Sequence, residues 1–225
     1  FTKKEINFLK NKSNNIRLHL NLTEKTHYSH INFKTFSYQE LVLMSLLGYK
    51  SEDLVKSIEN QIIYFKKIFN LNRIKIDGHQ HVHLVPCVNQ IIENLKYKHK
   101  IYETRYIEEK IFISDLFKIS KITSIFKNLL LKFFSLFLKK NIKSSSHFYG
   151  IVNTGEQNEK EIFKYLKNYK NKQNIEILFH PGSTNIKERK YFDKKFFNYY
   201  NSVNRRKEFK LCKSVNLKTK IDLYV

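Results

Sequence analysis

RIKIDGHQHVHLVP, residues 73–86, carries a fold signal and a chemical one in the same short span. Its first half, RIKID, alternates apolar and polar residues as a short strand does. Upstream, SEDLVKSIENQIIYFKKIF (51–69) sets Leu54, Ile58, Ile62, Phe65 and Phe69 three or four residues apart, which predicts an amphipathic helix. Ser51, just after Gly48, suits its start. Beyond Pro86, CVNQIIENLKYK predicts another helix. The same alternation continues outward. A polar helix at 2–12 precedes the strand NIRLHL (15–20), and a helix around 159–169 precedes the strand NIEILF (174–179). The Lys/Tyr/Phe-rich C-terminal region reads as helical. Strands alternating with helices predict an α/β fold with parallel strands, open or closed into a barrel.

The 225 residues suffice for one sizeable core, so a single domain over 1–225 is expected. A net charge of +22 invites a nucleic-acid reading, because basic surfaces release counterions from phosphates. Two features oppose it. Only six of the 42 basic residues are Arg, the side chain suited to phosphate forks and guanine edges, and the Lys are spread along the chain. The chain also lacks Ala and Trp and is rich in Lys, Asn, Ile, Phe and Tyr, the residues of AT-rich codons. No nucleic-acid partner is therefore expected.

Cys87 and Cys212 have no motif spacing and argue against a disulfide scaffold. No stretch reads as a signal peptide, and the longest apolar run, LLLKFFSLFL (129–138), is too short to span a bilayer and contains Lys132. A cytoplasmic location is the corresponding expectation. Residues 114–140 predict a basic amphipathic helix or helix pair with Lys118, Lys121, Asn128, Lys132, Ser135 and Lys139 as its polar stripe. The wide apolar remainder predicts packing on a core. The rival reading is a surface helix whose lysines meet anionic lipid.

The chemical signal is histidine. As part of one extended segment, Asp77, His79, His81 and His83 would share a face. Four such polar groups are poor core material without partners. NIRLH, RIKIDGH and NIEILFH each bring a strand to a histidine, namely His19, His79 and His180. In α/β barrels chemistry gathers at the C-terminal ends of strands, so these three could meet. Imidazoles suit Zn and other divalent transition metals, and a carboxylate companion widens the choice to Mg or Mn. Against this, His-x-His pairs open several unrelated metallohydrolase sites, and Pro181 and Gly182 after His180 also suit a plain turn.

IDGHQHVHLVP resembles the D-[SG]-H-[QH]-H-V-H-x-x-P signature of the YdjC-like carbohydrate deacetylases, a family with chitooligosaccharide and hopanoid-type members. Further pieces agree in order. RLHLNLT (17–23) is similar to the family's G-x-H-x-x-L-T segment, and ENQIIYF ahead of the signature also fits. SSSHFYG (144–150), with Gly155, resembles its F-x-G stretch, and EILFHPG (176–182) its E-x-x-x-H-P segment. The long insert at 114–140 stands nearer the hopanoid-type members.

The resemblance implies a (β/α)-barrel-like hydrolase, related to TIM barrels and polysaccharide deacetylases. Such an enzyme removes N-acetyl groups from an amino-sugar-containing carbohydrate or glycolipid, using one divalent ion, Mg2+ or Zn2+. It makes His19 and His79 the metal ligands, and His180 the general acid or transition-state stabiliser. Asp77, His81 and His83 would line the site or orient ligands, and Arg105 and His147 would lie near substrate. The family's opening Asp-Asp-x-Gly, source of a metal-binding carboxylate and the base, has no counterpart, since the sequence contains no Asp-Asp pair. The expectation is a chain that starts downstream of the first barrel strand. Competing readings are a remnant that only binds sugar or metal, a basic nucleic-acid or membrane-binding protein, and a phosphoesterase. The expected partner is an acetylated amino sugar, lipid-linked if the basic helix contacts a membrane.

Overall fold

A computed structural model of the chain describes residues 3–10, 16–24, 33–107, 109–116, 121–137, 147–168, 174–182, 197–198 and 201–222. They divide into two compact units, one comprising Phe1–Tyr106 and Leu131–Ser144, the other Ile107–Leu130 and Ser145–Val225.

In the first unit, β1 (Leu18–Leu20), β2 (Ile74–Gly78) and β3 (Ile101–Thr104) form a parallel sheet in that order. Its helices are α1 (Lys3–Lys10), α2 (Tyr38–Leu46), α3 (Glu52–Phe69) and α4 (Pro86–His99). The helix boundaries have local causes. Ser37 and Glu40 close a capping box at the start of α2, and the Ser51 hydroxyl accepts from the Leu54 amide at the start of α3. Pro86 occupies the first turn of α4, where its missing N–H costs nothing. Asn70 (φ 53°) and Lys100 (φ 52°) end α3 and α4 in the left-handed region, turning the chain directly towards β2 and β3.

The periodic residues of α3 behave as their spacing predicts. Leu54, Ile58, Ile62 and Phe69 are buried, while Phe65 is half-buried with its ring 4.9 Å from that of Phe69. Gln61, on the buried face, clamps the chain just past β1: its oxygen accepts from the Asn21 amide at 3.0 Å and its nitrogen donates to the Asn21 carbonyl at 2.8 Å.

One expectation fails. Asp77, His79, His81 and His83 do not share a face of one strand, because β2 stops at Gly78 and a 3-10 helix, His79–Leu84, follows. Gln80 (φ 50°) and His81 (φ 61°) both take left-handed backbone, which breaks the two-residue alternation. The fold-back needs Gly78, where a Cβ would lie 2.8 Å from Nδ1 of His83 and 2.9 Å from its backbone nitrogen.

The second unit holds a parallel pair, β4 (His147–Tyr149) and β5 (Ile175–Ile177). Its helices are α5 (Ile113–Leu116), the first part of α6 (Ile122–Ser135), α7 (Glu159–Leu166), α8 (Val203–Cys212) and α9 (Val215–Asp222). Tyr149, Ile162, Tyr165, Leu166 and Leu217 form its core. The Tyr149 and Tyr165 rings lie 4.4 Å apart, and the Tyr165 hydroxyl donates to the Phe148 carbonyl at 2.8 Å.

The parallel α/β expectation holds for every described strand pair. The described strands form sheets of three and two, with no closed barrel among them. No described helix is long and apolar enough to cross a membrane. The polar stripe expected at 114–140 is reversed: Lys121, Asn128 and Ser135 are buried and Lys132 is half-buried. Lys121 meets Asp115 at 2.7 Å and Asn128 donates to Glu109 at 3.2 Å, so partners inside the fold draw these polar groups in. Lys118 and Lys139 lie outside the described residues.

Candidate functional site

Parallel register places His19 of β1 opposite Asp77 of β2. Both side chains leave the sheet on one face, and His19 Nδ1 lies 2.6 Å from Asp77 Oδ1. Arg105, one residue past β3, reaches the other carboxylate oxygen at 2.5 Å, while its backbone amide donates to the Ile76 carbonyl at 2.9 Å. Burial pushes the Asp77 carboxyl up, but the His19 hydrogen bond and the Arg105 charge more than offset this and hold it below the usual carboxylate range. An ionised carboxylate only accepts. His19 Nδ1 is therefore the donor, which leaves Nε2 as the ring nitrogen that can offer a lone pair to a metal.

His79 follows β2 directly, and its ring meets that of His19 edge-on with centroids 5.6 Å apart. The two histidines expected to hold a metal are thus neighbours. His79 Nε2 is buried without a hydrogen bond, although Glu24 Oε1 lies 3.1 Å away. Glu24 was not singled out in the sequence, and its position comes from a local turn. Asn21 Oδ1 accepts from the amides of Thr23 and Glu24, and its Nδ2 donates to the Glu24 carbonyl. Gln61 fixes Asn21 in turn, so α3 supports this corner of the site.

His83 turns into the fold. It is fully buried, and its Nε2 lies 3.0 Å from the Arg105 carbonyl. A carbonyl only accepts, so Nε2 carries the proton. Burial drives the imidazole down to about 4, against the pull of Asp77. His83 thus braces the backbone of the residue whose guanidinium neutralises Asp77. His81 is also buried, with its ring 6.4 Å from that of His83. Arg105 is engaged with Asp77 and orients it, whatever else it touches.

His147 and His180 lie in the second unit. His147 opens β4, and its amide donates to the Asn174 carbonyl at 2.7 Å. His180 lies three residues beyond β5, in a segment held by α8. Its amide donates to Oε2 of the fully buried Glu208, and the Gly182 amide donates to the Arg205 carbonyl at 3.1 Å. At the end of β4, buried Glu109 accepts from the amides of Gly150, Ile151 and Val152 and from Asn128. Burial raises its carboxyl despite those four donors. Glu208 and Glu109 were missed because each serves backbone amides more than 25 residues away, a relation with no local sequence pattern.

Among the described residues, no three His, Cys, Asp or Glu side chains are grouped to hold a metal ion. The chemistry of the pair still fits one. His19 has a carboxylate on Nδ1, as metal-binding histidines have, and His79 has a buried ring nitrogen with a carboxylate oxygen of Glu24 3.1 Å away.

Comparison with known proteins agrees with the motifs. A family model described as YdjC-like protein matches residues 2–222. A carbohydrate deacetylase from Xenopus laevis is 23% identical over an alignment of 232 residues, which covers 90% of this chain and 75% of that protein.

Proposed function

Because the chain belongs to the YdjC-like family, we propose that it is a metal-dependent hydrolase that removes N-acetyl groups from an amino-sugar-containing carbohydrate. The observation that carries this reading is the paired imidazoles of His19 and His79 beside an Asp77 that orients one of them. The deacetylase named among the relatives supports the choice of reaction. The (β/α) barrel is part of the same proposal.

His19 Nε2 and His79 Nε2 would hold the divalent ion, Mg2+ or Zn2+, with a Glu24 carboxylate oxygen 3.1 Å from His79 Nε2. Such an ion polarises an acyl carbonyl and makes water more acidic. The chain's own residues set the conditions. Asp77 fixes the His19 tautomer, and Arg105 keeps Asp77 ionised. His83 holds Arg105 from behind. To His180 this reading gives delivery of a proton to the leaving amine. The family's Asp-Asp carboxylate has no counterpart in the 225 residues, so no residue is assigned as the base. A lipid-linked amino sugar is the finer substrate choice, motivated by the basic segment at 114–140.

The test is divalent-metal content together with acetate release from N-acetylglucosamine oligomers, for the chain and for His79→Ala. About one ion per chain and acetate release, both lost in the variant, support the reading. Metal binding without acetate favours the remnant that binds metal only. Phosphate release from a phosphoester panel instead of acetate favours a phosphoesterase.

A further inference from the structure

The helix α6 and the turn after it present an apolar face outward. Ile122, Phe126, Leu129, Phe133, Leu136 and Phe137 are 52% to 79% exposed. Their spacing of three and four residues puts them in one stripe. Phe133 and Phe137 join edge to face at 5.4 Å, and the amides of Leu136 and Phe137 donate to the carbonyls of Phe133 and Phe134, carrying the stripe past the helix end. Asn128, Ser135, Ile125, Leu131 and Phe134 of the helix, and Lys121 just before it, are buried. Lys121 and Asn128 are held there by Asp115 and Glu109. These partners fix which side of α6 faces out.

We propose that this stripe docks the protein on an anionic membrane surface, with α6 lying in the interface plane. The charge of the segment selects the occupant. Residues 116–155 contain neither Asp nor Glu, and six Lys besides Lys121, which is turned inward on Asp115. Lys127, exposed, and Lys132, half-buried, lie on α6 itself. Apolar side chains that enter the acyl boundary beside lysines that meet anionic headgroups are the two components of interfacial binding. A second copy of the chain is a poorer occupant, because a self-complementary contact through this face would bring two basic segments together. An RNA partner is poorer too, since residues 116–155 contain no Arg. The helix has 14 residues and no described helix can cross a bilayer, so the docking is peripheral. The proposal does not depend on the chemistry assigned to His19 and His79.

The experiment is co-sedimentation of the full chain with phosphatidylcholine vesicles, with and without about 30 mol% phosphatidylglycerol. The comparison variant is Phe126→Glu/Phe133→Glu, whose changes fall on exposed positions, with a thermal melt to check folding. Wild type should bind the anionic vesicles, lose binding several-fold between about 50 and 300 mM salt, and exceed the folded variant by roughly tenfold or more. Three results would overturn the proposal: no binding to anionic vesicles, equal binding by the variant, or equal binding to neutral vesicles. Sedimentation velocity covers the remaining occupant. A wild-type dimer that the double substitution converts to a monomer, with no vesicle binding, would assign the face to a second copy.

Discussion

At the scale of single residues, Asp77 decides what its neighbours can do. A carboxylate at 7% side-chain exposure would ordinarily take up a proton, but His19 and Arg105 occupy one oxygen each and keep it charged. Asp77→Asn separates charge from shape. The amide nearly fills the same volume, yet it removes the anion that makes His19 Nδ1 the donor, so the ring is free to choose the other tautomer. On the proposed reading, in which His19 holds a metal ion, metal affinity in Asp77→Asn falls by roughly 10- to 100-fold, the usual effect of removing the partner behind a metal-binding histidine. Equilibrium dialysis against Zn2+ checks this. Unchanged affinity in a folded variant would count against His19 as one of the proposed ligands. The sequence showed Asp77 and His19 as residues of interest, but not that they touch. That relation exists only through the β1–β2 register.

Among elements, most helices and the strands β1, β2 and β5 were legible, whereas α2, β3, β4 and the connection that carries the chemistry were not. α3 and β2 follow from hydrophobic spacing and the start of α3 from Ser51, whereas Asn70, which ends that helix, was not singled out. The span from His79 to Leu84 reads as alternation in the sequence because nothing local announces consecutive left-handed residues at Gln80 and His81. Tertiary packing decides it, as His83 turns in to brace Arg105. The same cause misleads at α6, where buried acidic partners invert the expected faces. The 3-10 segment has a consequence for pH. His83 titrates near 4 in the fold and near 6.5 when unfolded. The unfolded chain therefore binds the extra proton between those values, and stability is present above about pH 6.5 and lost as pH falls towards 4. Urea unfolding should show a loss of about 2 kcal/mol from this residue between about pH 7.5 and pH 5. In His83→Gln, less stable overall, the pH slope over that range should be shallower by that amount. Parallel slopes would mean that His83 takes up its proton over the same pH range in the folded and the unfolded chain.

For the molecule as a whole, charge is the dominant departure from an ordinary α/β protein. Thirty-six Lys and six Arg against 20 acidic residues give +22, and like charges at that density repel in the compact state more than in the expanded one. Opposing this are ion pairs of two kinds. Lys34–Asp53 and Lys56–Glu52 are exposed and easily screened, whereas Arg105–Asp77 and Lys121–Asp115 are largely buried and respond little to salt. Adding NaCl from about 10 to 150 mM shortens the screening length from about 30 to 8 Å, which weakens the long-range repulsion while leaving the buried pairs in place. Net repulsion sums over many pairs and the exposed bridges contribute at most about 1 kcal/mol each, so repulsion should win. The thermal midpoint is expected to rise with NaCl by roughly 2–4 °C for each 1 kcal/mol of relief at this chain length. Differential scanning calorimetry at several NaCl concentrations reads it directly. A midpoint that falls instead would mean that attractive pairs outweigh the excess of Lys, and that the basic residues are arranged around the acidic ones more closely than their even spread along the sequence implies.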